Sequence, residues 1–166
     1  MRFKYSVGIK SLGEAAEKIL DGILEKCGVS NALVTSTVRT PDDQARIMYE
    51  NIERHGIKAQ RQLYKAAGKL IIDVYESQKS IGANADAVKH TMAQKIIEIG
   101  PEKISAHCTA DPNKSVFDVS PSSIPEERKN AWVNQVSVTP GLIRFLRPPA
   151  DPAYHIEIKI SHGEEA

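Results

Sequence analysis

From residue 42 to about residue 99 the apolar residues return at helical intervals, and on either side of that stretch the helical pattern gives way to shorter elements. Ile47, Leu63, Leu70, Ile71, Val74, Val88, Met92, Ile96 and Ile97 supply its expected buried positions. His55-Gly56 and Ser80-Ile81-Gly82 break it into about three helices. Upstream, residues 3–9 read as a short strand and residues 11–28 as an amphipathic helix. Ser11 and Glu14 fit a capping box there, Ala15, Ile19, Ile23 and Leu24 share a face, and Gly28 suits the left-handed end. The β-branched run 32–38 predicts a buried strand. It passes at Arg39 into a helix marked by Thr40 as N-cap, Pro41 at the first position, and Asp42 and Asp43 near the positive end of the helix dipole.

After Gly100-Pro101 the expected elements are a strand at 103–110, a strand at 116–119, a helix at 124–135, a segment without clear pattern at 137–147, and a strand at 154–160. A helical layer followed by short strands predicts an α+β fold with several helices and a small antiparallel sheet. A chain of 166 residues that is 41% apolar can bury one sizeable core, so one domain over 1–166 is expected. Lys and Arg number 22 against 21 for Asp and Glu, which leaves no basic field to grip a nucleic acid. The amino terminus lacks the apolar run of a Sec signal and no segment is apolar enough to span a bilayer, so a soluble chain is expected. Cys27 and Cys108 do not suggest a disulfide framework. The tail His162-Gly163-Glu164-Glu165-Ala166 is expected to fray.

The chemistry gathers in Ser105-Ala106-His107-Cys108 and the residues that follow. His107 and Asp118 occupy strand-like positions flanking a polar loop, and a hairpin would bring them together at one end of the sheet. A surface histidine beside an Asp-Pro-Asn turn explains the same residues without a metal. His155 opens the polar side of the last strand, with Glu157 and Lys159 on its face and Ile156, Ile158 and Ile160 opposite. Two imidazoles and one carboxylate would leave a tetrahedral zinc ion one position for water, as catalytic sites do, whereas structural sites close all four positions. Cys108 should point into the core. Trp132 is expected in the core, and His55, His90 and His162 in solvent.

These segments resemble the zinc peptidases that include D-Ala-D-Ala carboxypeptidases and phage L-alanyl-D-glutamate endolysins, a fold shared by the Hedgehog amino-terminal domain. The matching residues are Ser105-Ala106-His107, Phe117-Asp118-Val119 and His155-Ile156-Glu157-Ile158, with Thr37 to Gln44 similar to the family's arginine segment. The resemblance covers most of the chain. It implies a Zn2+ site of His107, Asp118 and His155, with Asp111 as the fallback for Asp118 because the linker here is longer than usual and lacks glycine. It implies a catalytic carboxylate at Asp151, displaced by Pro152 from the family position, or at Glu157, for which a cross-strand salt bridge is the plainer role. Arg39 would bind the substrate carboxylate or backbone. Gln44 and Ser105 are further substrate-binding candidates, or ordinary helix and strand residues. The implied activity is hydrolysis of peptidoglycan peptides, as carboxypeptidase or endopeptidase, with release to the cell wall by lysis or non-Sec export. The alternative is an inactive binding module that keeps the fold. Oligomeric state is left open.

Overall fold

The computed structural model describes residues 1–161, so His162 and the expected frayed tail lie outside the described residues. Among the described residues the fold is α+β: seven α-helices and a five-stranded, mostly antiparallel sheet. By packing, the chain divides into two compact units. Met1–Val38 and the described residues from Asp111 to Ser161 form the first, and Arg39–Ala110 the second.

The first unit holds the whole sheet. β1 (Phe3–Tyr5) and β2 (Ala32–Ser36) run parallel, which requires the crossover helix α1 (Glu14–Cys27) between them. β2 then pairs antiparallel with β3 (Lys114–Val119), β3 with β5 (Tyr154–Lys159), and β5 with β4 (Leu142–Leu146), giving the order β1-β2-β3-β5-β4. Phe117, Val119, Ile156 and Ile158 present one apolar face. Leu20 and Leu24 of α1 and Trp132 and Val136 of α7 (Lys129–Ser137) share that core. Trp132 is fully buried, its ring 5.8 Å from that of Tyr154. Gly28 takes the left-handed conformation at φ 67° and ends α1 as expected.

Three expectations shift in this unit. The helix expected from residue 11 starts at Glu14, and no capping box forms. Ser11 Oγ instead donates to Glu17 at 2.7 Å and accepts from the Gly13 N–H, while Gly13 turns the chain at φ 83°. The helix expected from residue 124 starts at Lys129, because Pro121 and Pro125 hold two short 3₁₀ turns before it. Part of the patternless stretch is β4, whose pairing with β5 shifts between Leu142 and Arg144 and so spoils strict alternation.

The second unit is a helical layer. Thr40 and Asp43 exchange both bonds of a capping box at 3.1 Å, with Pro41 opening α2 (Pro41–His55). α3 (Ile57–Leu63), α4 (Ala66–Ser80), α5 (Ala85–Ile99) and the single turn α6 (Pro101–Ile104) follow. α5 packs on both α2 and α4, and Met48, Ile52, Ile71, Ile72, Val88, Met92 and Ile96 fill the core. The span 42–99 therefore holds four helices where three were expected. The additional break is the extended Tyr64, whose ring packs so closely on Gly68 that a Cβ there would come within 2.5 Å of it. No glycine or proline at 63–65 signals that break. Leu63, Leu70 and Ile97, expected in the core, are exposed, since the neighbouring Ile71, Ile72 and Ile96 take the inward faces of these helices.

The strand expected at 103–110 does not form. Pro101 starts α6, and a turn follows in which the Ser105 carbonyl accepts the Cys108 N–H at 3.0 Å. Only Cys108 makes a β-bridge, with Arg39. The side chain of Cys108 is nevertheless in the core, as expected, and His55 and His90 are exposed.

Phe117 makes the apolar face of β3 and is completely buried. Phe117→Ala should cost about 3–5 kcal/mol of stability, read from the urea midpoint of the sheet signal in circular dichroism.

Candidate metal centre

The pairing of β3 with β5 places Asp118 directly opposite His155 and Val116 opposite Glu157. Directly opposed residues of an antiparallel pair point to the same face, here the one away from Phe117 and Ile156. Asp118 Oδ1 lies 2.9 Å from His155 Nδ1, and Glu157 Oε1 lies 3.0 Å from His155 Nε2. Lys114 Nζ, at the start of β3, reaches the second Glu157 oxygen at 3.0 Å. One line of polar groups thus runs Asp118, His155, Glu157, Lys114 across two strands, and its two central members are 2% and 5% exposed.

Charge and burial oppose each other along this line. The hydrogen bond to Asp118 raises the His155 pKa above 6.5, desolvation works against it, and the Glu157 bond adds to the rise. Burial alone would raise Glu157, but its bonds to His155 and Lys114 prevail and hold it below 4.5. Both carboxylates thus favour the charged form of the imidazole relative to an isolated histidine, and burial opposes them.

The remaining sequence candidates have local partners. His107 lies in the turn after α6 within the second unit, and its N–H donates to Ser105 Oγ at 3.2 Å. The expected hairpin between the His107 segment and the Asp118 strand is absent, because both edges of β3 are taken by β2 and β5. The Arg39 N–H donates to the His107 carbonyl at 2.7 Å, and the Arg39 carbonyl accepts the Thr109 N–H, so the arginine and histidine backbones are tied within one unit. Arg39 Nη1 donates to Gln44 Oε1 at 3.3 Å, and Gln44, an ordinary helix-surface residue by its pattern, is only 1% exposed. Tyr64 joins them: burial raises its pKa, while the Arg39 charge and a Gln44 hydrogen bond pull it down. Asp111 accepts the Asn113 N–H at 2.8 Å in a turn, and Asp151 likewise accepts the Ala153 N–H at 2.9 Å just before β5.

Within the first unit, Asp118 and His155 offer a carboxylate oxygen and an imidazole nitrogen, donor types that could help to hold a metal ion. The Asp118–His155 pair passes a geometric check. Two donors at zinc distances of about 2.0–2.1 Å and tetrahedral angles lie roughly 3.3 Å apart, so the 2.9 Å pair would need to open only slightly. Lys114 and Tyr64 were not among the sequence candidates. Lys114 was detectable only through a register that sets it diagonal to Glu157, and Tyr64 only through the unmarked helix break. Comparison with family models, curated proteins and solved structures finds no match to this chain.

The two pKa shifts set a stability window for metal-free protein. A raised histidine contributes fully below its unfolded value of 6.5 and loses that contribution as pH rises through the higher folded value. A depressed glutamate contributes above 4.5 and loses it as pH falls through the lower folded value. In the presence of chelator, the stability gap between wild type and His155→Gln should be widest between pH 4.5 and 6.5 and should narrow toward pH 9, measured by urea unfolding across that range.

Proposed function

We propose that this chain is a zinc-dependent peptidase of bacterial cell-wall peptides, with His107, Asp118 and His155 as the metal ligands. The observation that carries the reading is the Asp118–His155 pair, set face to face by strand register at a spacing an ion could bridge. The resemblance of the Ser105-Ala106-His107, Phe117-Asp118-Val119 and His155-Ile156-Glu157 segments supplies the reaction class. When bound, zinc would lower the pKa of its water to about 7 and polarise the scissile carbonyl.

The chain's own groups divide the remaining work. Arg39, held by Gln44 and by the backbone bonds on either side of it, presents a planar guanidinium suited to a peptide carboxylate. Both oxygens of Glu157 are engaged by His155 and Lys114, which leaves Asp151 to take the water proton. Asp151 would hold that proton and hand it to the leaving amine as the C–N bond breaks and the water oxygen takes its place on the carbonyl carbon. Such a carboxylate contributes about 10²–10⁴-fold. No helix among the described residues is long and apolar enough to cross a membrane.

A second reading has an observation in its favour. Asp151 is turned to the Ala153 N–H and Glu157 is fully engaged, so a binding module that keeps the metal without hydrolysis fits the same residues.

Metal analysis of purified protein should find about one zinc per chain, with loss in His107→Ala, Asp118→Ala and His155→Ala and retention in Asp111→Ala. Retention of full zinc by His155→Ala removes the ligand set. Incubation with sacculi should release D-alanine or peptide fragments, and EDTA should abolish the release. Zinc binding without release selects the binding module. Arg39→Ala should fold and keep its zinc while turnover falls, and Asp151→Asn should lose about 10²–10⁴-fold in rate, both followed by fragment release against time.

A further inference from the structure

Glu157 and Lys114 remain outside the ligand set, yet they form an ion pair at the buried end of the same polar line. A carboxylate only 5% exposed is costly unless both oxygens find partners. Those of Glu157 find two different ones: the Lys114 ammonium at 3.0 Å and the His155 Nε2 at 3.0 Å. The four residues Lys114, Asp118, His155 and Glu157 belong to two adjacent strands of one sheet, so their relative placement is fixed by backbone pairing.

A neutral imidazole carries one proton, and here two carboxylates compete for it. Asp118, 2.9 Å from Nδ1, favours the proton on Nδ1, where it would block that nitrogen as a metal donor. Glu157 favours the proton on Nε2, which leaves the Nδ1 lone pair on the Asp118 side. Lys114, 3.0 Å from the other Glu157 oxygen, aims the carboxylate at the ring. A ligating histidine whose other N–H is held by a carboxylate is a more basic and better oriented donor.

Resting on the zinc reading above, we propose that Glu157 and Lys114 are positioning residues: Lys114 anchors Glu157, and Glu157 holds the proton on His155 Nε2 so that Nδ1 binds the metal. Glu157 on this account is not the catalytic base. A cross-strand salt bridge that merely braced the sheet would leave the ring tautomer and the metal affinity untouched.

The test uses the full chain, zinc affinity by competition with a chromophoric chelator, and long-range ¹H–¹⁵N correlations of the His155 ring in zinc-loaded protein. Wild type should show a protonated Nε2 and a metal-bound Nδ1. Glu157→Gln and Lys114→Met should each lower zinc affinity, the former about 10–100-fold, and Lys114→Arg should restore much of the loss. Circular dichroism melts establish that each variant is folded; should Glu157→Gln not fold, Lys114→Met carries the comparison. Wild-type affinity in both folded variants, or zinc on Nε2, overturns the proposal. If His155→Ala abolishes binding while Glu157→Gln does not, only the positioning role falls. If His155→Ala binds as wild type does, the zinc reading itself falls with it.

Discussion

The pairing of β3 with β5 is the constraint on which the candidate site depends. Six successive residue pairs, from Lys114 opposite Lys159 to Val119 opposite Tyr154, lock the two strands. A slip of one residue would exchange the faces of every side chain, sending Asp118 and His155 into the apolar layer and Phe117 and Ile156 out of it. The cost of burying carboxylates among Leu24, Trp132 and Val136 makes that slip prohibitive. The apolar core therefore sets the polar site, although no core side chain belongs to it.

The site is built from opposed pulls. Two carboxylates flank one imidazole, and an ammonium restrains one of the carboxylates. Each charge here is tolerated because another lies within hydrogen-bond distance, and removal of Asp118 or Lys114 would leave a buried neighbour with one of these partners in place of two. Such an arrangement can serve as a closed ion network or open to admit a cation between Asp118 and His155. In the open form Glu157, anchored by Lys114, would hold the single proton of a neutral ring on Nε2.

The second unit organises different chemistry around a backbone tie. Arg39 bonds through its N–H to the His107 carbonyl and through its carbonyl to the Thr109 N–H, so the turn after α6 is tied to the start of α2. Gln44 then holds the guanidinium through Nη1, and its hydrogen bond to Tyr64 ties it to the break before α4. The capping box at Thr40 makes this possible by fixing the first turn of α2, since Gln44 lies just beyond it.

The sequence by itself determined the local events. The proline and acidic start of α2, the glycine end of α1, the helical character of 42–99 and the alternating last strand all follow from residues within a few positions of one another. It also pointed to His107, Asp118 and His155 as a donor set through residue type and resemblance. Only tertiary structure decided which strands pair, that residues 103–110 form a turn after a single helical turn, and that Glu157 reaches Lys114. Those outcomes rest on contacts between residues far apart in the chain, such as Asp118 with His155, and register between distant strands leaves no local periodicity to read. The break at Tyr64 was hidden for a related reason, since close packing of a ring on Gly68 accompanies it without a proline or a turn dipeptide to mark it.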